Sequence, residues 1–259
     1  MRFLKLFGHL FFIVFLTILT QVGGIIWMLS ILLSKTFKKQ KRIVFPLLYL
    51  LFNLIIIPPI AKVFGREPLP VINQIIKPRN IIYPILFRNY VTSEFKSSLI
   101  ESSIDLAHLG IQVTDLDANF PFGDGFPLLP HLIANEGKQI YISFMYIDIY
   151  GNPTTKKPSV SGYGAYVNKN NPTATTCLKQ GYWQYDFPKY LTFGTLNNLT
   201  LDKENTKTLI QGLLYKTNAE KLFIEPYLKT ELELSDYSKI RFHGCKAVRH
   251  DDHIHLQVK

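Results

Sequence analysis

The densest chemistry in this 259-residue chain lies near its C-terminal end. Val248-Arg-His-Asp-Asp-His-Ile-His-Leu-Gln-Val258 sets three histidines, His250, His253 and His255, beside two acids, Asp251 and Asp252. From Asp252 onward polar and apolar residues alternate, which predicts a half-buried strand with His253, His255 and Gln257 on one face and Ile254, Leu256 and Val258 on the other. Imidazoles two residues apart on a strand converge on one ion or one substrate group. A lone histidine at a strand end is ordinarily a hydrogen-bonded surface or core residue, but three within six residues beside two acids point to a pocket. Neutral imidazole serves such a pocket either as a metal ligand or as a hydrogen-bond partner of a peptide or carboxylate.

The elements that must position this cluster alternate irregularly. Ser93 predicts a capped helix over 94–109 that stops at Gly110. Strands follow over 111–116 and 139–148, separated by the loop from Asp117 to His131. Residues 150–176 are dominated by turn residues and predict a long excursion near the site. A helix over 202–217, a strand over 222–228 and a short helix over 232–238 lead into the terminal strand. Helices and strands mix without strict βαβ alternation, so the expectation is an α+β domain with a mainly antiparallel sheet and flanking helices.

Ahead of this domain the chain changes character. Residues 3–33 carry no charge except Lys5, and residues 43–60 carry none, as bilayer-spanning helices require. The expected organisation is a transmembrane hairpin over 1–64, with helices at about 7–32 and 43–63, a juxtamembrane connector over 65–92, and a domain over 93–259. The loop over 35–42 holds five positive charges in eight residues, and short basic loops stay in the cytoplasm. That predicts a cytoplasmic-membrane protein with both chain ends and the C-terminal domain outside.

The net charge of +10 follows from this topology. Residues 1–80 hold 11 Lys or Arg and one acid, whereas residues 81–259 hold 18 of each sign. The domain therefore has no basic stripe, and nucleic acid is excluded as a partner. Cys177 and Cys245 both lie in the outward-facing part, where a disulfide is the expectation. A nucleophile built from Cys245 with His243 or His250 is the rival reading, and nothing around it resembles a cysteine-peptidase signature.

The loop ending Phe126-Pro-Leu-Leu-Pro-His131, the turn centred on Gly137, the strand after it and the terminal His250-x-x-His253-x-His255 together resemble the penicillin-insensitive murein endopeptidases. The wider group takes in lysostaphin-type and D-Ala-D-Ala peptidases and the hedgehog signalling domain. The resemblance covers residues 95–259 and implies a fold of that peptidase type with a zinc site. It implies His255 as the third zinc ligand, His253 as the neighbour that assists the zinc-bound water, and His250 as a further catalytic histidine.

The family's first ligands form His-x-x-Gly-x-x-x-Asp. Anchored on Gly137, these fall on Ala134 and Tyr141, neither of which replaces its ligand. The resemblance therefore implies a catalytically impaired copy without a cofactor, which binds peptidoglycan peptide or an envelope protein beside the membrane. The alternative is an active zinc-dependent cell-wall peptidase with a rebuilt ligand set. His131, Glu136 and Tyr141 are its candidate substitutes, and Asp251 and Asp252 are expected to line the pocket.

Overall fold

A computed structural model of the chain describes residues 2–126 and 136–259. Its first quarter is helical: α1 (Arg2–Thr20), α2 (Gly23–Thr36), α3 (Lys41–Leu51), a π-helical turn (Phe52–Ile56) and α4 (Ile57–Val63). Phe3–Thr20 and Lys41–Val63, of 18 and 23 residues, are long and apolar enough to cross a membrane. Their large apolar side chains, among them Phe3, Phe7, Phe11, Leu47 and Leu54, point outward.

The single helix expected over 7–32 is instead two. The chain turns at Gln21, whose φ is 65°, and α2 doubles back along α1. The Trp27 ring lies 5.2 Å from Phe12 and 5.9 Å from His9. Glycine makes this approach possible, since a Cβ at Gly24 would sit 2.1 Å from Thr17 Oγ1 and 2.6 Å from the Ile13 carbonyl. Hydropathy does not see the break because both legs are equally apolar. At 14 residues α2 is only about 21 Å long. The first turn of α1 therefore lies at the end of the helical layer that carries the basic loop, with Lys41 Nζ 3.2 Å from His9 Nε2. Gln21, at the other end, meets the C-terminal domain by exchanging hydrogen bonds with the Phe122 backbone at 2.6 and 2.9 Å.

The remaining elements are β1 (Arg66–Pro68), β2 (Ile76–Pro78), α5 (Ile82–Ile85), β3 (Tyr90–Thr92), α6 (Ser93–His108), β4 (Val113–Asp117), β5 (Gln139–Ser143), β6 (Tyr146–Ile147), β7 (Pro153–Thr154), α7 (Pro172–Lys179), a 3-10 helix (Trp183–Leu191), β8 (Thr200–Leu201), α8 (Lys203–Lys216), β9 (Ala219–Phe223), α9 (Pro226–Glu231), β10 (Ile240–Arg241) and β11 (His253–Val258). The result is a mixed α/β domain. Its six-stranded sheet runs β10-β9-β11-β5-β4-β2, antiparallel through the middle and parallel at its two edges.

Several elements differ locally from expectation. The stretch over 65–92 is woven into the domain: β1 pairs with β3, and β2 joins the main sheet beside β4. Thr92 rather than Ser93 caps α6, its side chain accepting from Phe95 N at 3.3 Å. The strand predicted over 222–228 ends at Phe223 because Pro226 starts α9, and 232–238 contains no helix. The expected helix over 202–217 is α8, capped by Asp202 through Asn205 N at 3.1 Å.

The terminal strand forms where predicted with the expected polar and apolar faces, but it is buried on both rather than half-buried, His253 and His255 being as enclosed as Ile254 and Leu256. Ile254 and Leu256 are fully buried against Ile140, Ile142, Leu222 and the apolar faces of α6 and α8. Burying such side chains contributes roughly 1.5–3 kcal/mol each, which holds β11 in register at the centre of the sheet. Its opposite face is then free to carry polar chemistry.

Candidate metal centre

Strand β11 presents His255 between two aromatic residues, opposite Tyr141 of β5 and Phe223 of β9. Ring centroids lie 4.5 Å from Tyr141 and 5.2 Å from Phe223. His255 Nε2 sits 3.2 Å from Gln139 Oε1 and 3.3 Å from Gln257 Nε2, so two amides set the ring's rotation. In the tautomer that donates Nε2–H to Gln139, Nδ1 carries the lone pair.

His250 sits just ahead of the strand, held through its backbone. Its N–H donates to Glu225 Oε1 at 3.1 Å, and its carbonyl accepts from Glu225 N at 3.0 Å. His243 comes from the connection between β10 and β11 and stacks on Phe223 at 4.2 Å with planes 20° apart. The three imidazoles converge: His243, His250 and His255 each bring a ring nitrogen within 4.8 Å of the others.

Three imidazoles with an open fourth position form a familiar catalytic zinc donor set. Zn–N bonds of about 2.0–2.1 Å place tetrahedral ligand atoms about 3.3 Å apart, so these rings close by at most about 1.5 Å to grip an ion. His243 Nδ1 is buried and has no hydrogen-bond partner among the described residues, an arrangement that a metal bond would satisfy. Burial, and then His253, pushes the His243 pKa below its ordinary value. Burial, and then His243, pushes that of His255 well below. Both rings are therefore neutral near pH 7, the form that donates a lone pair to a metal.

His253 does not join the triad but stands beside it, its ring 5.0 Å from that of His250. Its Nδ1 contacts the Asp252 carboxylate, and both side chains are fully buried. Gly164 N donates to the other Asp252 oxygen. A Cβ at Gly164 would collide with the Pro188 carbonyl at 2.3 Å, so only glycine brings this amide so close. Tyr163 sets its ring 4.9 Å from His253. The turn-rich excursion thus closes over the Asp252–His253 pair.

The other expected site residues have different roles. Asp251 is engaged by Arg249 at 2.6 Å and Tyr227 at 3.3 Å rather than by the histidines, and burial raises its pKa to about 7. Glu136 is exposed and outside the triad. Tyr141 lies beside His255, and burial and then Asp117 raise its hydroxyl well above the usual value. His131 and Ala134 lie outside the described residues. Cys177 and Cys245 form a disulfide with Cα atoms 5.2 Å apart, which rules out the Cys245 nucleophile.

The sequence does not mark His243 as a member of this histidine cluster. It sits in an irregular loop 7 and 12 residues before its partners, where no periodicity marks it. Its only signal was Cys245, two residues on, which ties the loop down. No family model and no curated protein matches this chain.

Proposed function

We propose that this chain is a membrane-anchored, zinc-dependent hydrolase of the murein-endopeptidase type that cleaves cell-wall peptide. Its ligand set is rearranged to His243, His250 and His255. The observation that carries the reading is the convergence of these three imidazoles, one of them from outside the terminal motif. It favours a rebuilt site over a copy that has merely lost the family's ligands at Ala134 and Tyr141.

A zinc ion held there would lower the pKa of a bound water to about 7 and polarise a scissile carbonyl. The chain's own residues do the rest. The Asp252 carboxylate holds His253 in the Nδ1–H tautomer, leaving Nε2 as the proton acceptor. Gln139 and Gln257 fix His255, Glu225 fixes His250, and Phe223 packs against His243 and His255. Tyr163 and Tyr141 exclude water from the sheet side.

The helical layer supports a location at the outer face of a cytoplasmic membrane. Arg2, Lys5 and the basic loop over 35–42 gather at one end, as the positive-inside rule asks of a cytoplasmic end. The domain meets the other end. In this reading the first turn of α1 is cytoplasmic rather than external.

The test uses the full chain in detergent micelles or nanodiscs. One zinc per chain after dialysis and release of soluble fragments from purified peptidoglycan are expected, with both lost in His243→Ala, His250→Ala and His255→Ala. A wild-type chain that retains no zinc sinks the proposal. Zinc retained without fragment release sinks the substrate.

A further inference from the structure

His243 is held differently from its two partners, and the difference lies in one covalent bond. His255 is fixed by sheet pairing on both sides. His250 is fixed by two hydrogen bonds to Glu225. The segment 242–246 takes part in a single backbone hydrogen bond among the described residues, from Ala247 N to the Gly244 carbonyl at 3.2 Å. Phe242 is exposed, and His243, Gly244 and Cys245 are half-buried. Apart from ring contacts of His243 with Phe223, His250 and His255 and of Phe242 with Tyr185, what ties this segment to the domain is the bond from Cys245 to Cys177.

The anchor at the far end is solid. Cys177 is fully buried in α7, packed with Ala174, Tyr182 and Tyr185. Helix α7 is capped by Asn171, whose Oδ1 accepts from Ala174 N at 2.8 Å. Tyr185 also supports the other ligands' side of the site. Its hydroxyl donates to Glu225, and its carbonyl accepts from Arg249 N at 3.0 Å. One platform therefore holds His250 through hydrogen bonds and His243 through a disulfide two residues away.

We infer that the Cys177–Cys245 disulfide is the positioning device for the third ligand, so that metal loading of the site depends on the oxidation state of this pair. The inference rests on the reading of His243, His250 and His255 as a zinc site. When a dithiol reduces the bond, two electrons and two protons pass to Cys177 and Cys245. The cystine becomes two thiols and the dithiol becomes its own disulfide. Segment 242–246 then keeps one local backbone hydrogen bond and the ring contacts of Phe242 and His243 against the entropy of a freed loop. The triad falls to two ordered ligands.

The experiment measures zinc affinity of the full chain in detergent by competition with a chromophoric chelator in three states. These are the oxidised protein, the protein reduced with dithiothreitol, capped with iodoacetamide and freed of reagent, and the Cys177→Ala/Cys245→Ala variant. The expected result is tight binding of one zinc by the oxidised chain and at least about tenfold weaker binding in the other two. Hydrogen exchange at the β11 amides is followed in parallel and is expected to be unchanged, since that strand does not depend on the bond. Equal affinity within twofold in all three states overturns the positioning role while the zinc site stands. Loss of β11 protection together with zinc overturns it as well, because the bond then holds the whole domain. An oxidised chain that binds no zinc overturns the zinc site and this inference with it.

Discussion

The terminal strand and the loop before it bring the same side chain to the same place by opposite means. Strand β11 fixes His255 because its alternate residues, Ile254 and Leu256, are fully buried in the main core. The ligand's position there is a by-product of hydrophobic burial and ladder hydrogen bonds. The segment over 242–246 has no buried apolar face of its own and relies on a covalent tether. Order at a site can thus come from packing, which is cooperative with the whole fold, or from a local bond, which can be made and broken independently of it.

If packing is what orders β11, thinning the core beneath it should disturb the site through stability alone. Leu256→Ala removes a fully buried side chain and is expected to lower unfolding free energy by about 2–5 kcal/mol. Chemical denaturation checks this. Below the transition, zinc content should stay intact, and its loss without any shift in the transition would break the contrast between strand and loop.

A second test addresses the strand side through charge. Asp115 and Asp117 lie on β4, and Asp117 pairs with Arg88, Nε to Oδ1 at 3.0 Å. Asp115 Oδ1 is buried without a hydrogen bond among the described residues, and burial, its largest influence, raises its pKa to about 7. An acid whose folded pKa is raised holds its proton longer in the folded state than in the unfolded one. Between about pH 4 and 7 the unfolded chain therefore loses its proton first, and the folded state loses relative stability as pH rises. Asp115→Asn removes this dependence. It should exceed wild type by about 4 kcal/mol at pH 8 and by little at pH 4, read from denaturant unfolding at both values. An equal difference at the two would show that Asp115 does not titrate in this way.

The smallest effect sharpens how β5 orients His255. Gln139→Ala deletes the amide 3.2 Å from His255 Nε2. It is expected to weaken zinc binding roughly 10- to 100-fold, as loss of a ligand's supporting partner does, and to lower unfolding free energy by about 1–3 kcal/mol because buried polar groups lose their partner. An unchanged affinity would assign the orientation of His255 to Tyr141 and Phe223 alone.

Local patterns in the chain account for a good part of this architecture. Alternation from His253 to Val258 predicts the terminal strand and its two faces, because period-two burial is a property of any strand in a half-polar position. Long uncharged runs predict membrane-spanning helices for the same kind of reason. The helix over 202–217 is legible from its Asp202 cap and apolar face. Where the signal was a single turn, reading by pattern failed: the break at Gln21–Gly24 and the α9 start at Pro226 each hang on one or two residues inside otherwise uniform stretches.

What the sequence alone determined is the terminal histidine cluster on one face of a buried strand, the apolar N-terminal region and the mixed α/β character of the domain, all written as local periodicity. Only the tertiary structure decided that His243 completes the triad, that Asp252 rather than Asp251 serves His253, and that α2 folds back on α1. These depend on which distant segments meet. Such meetings are set by the summed packing of Phe223, Tyr185 and the Cys177–Cys245 bond rather than by spacing along the chain.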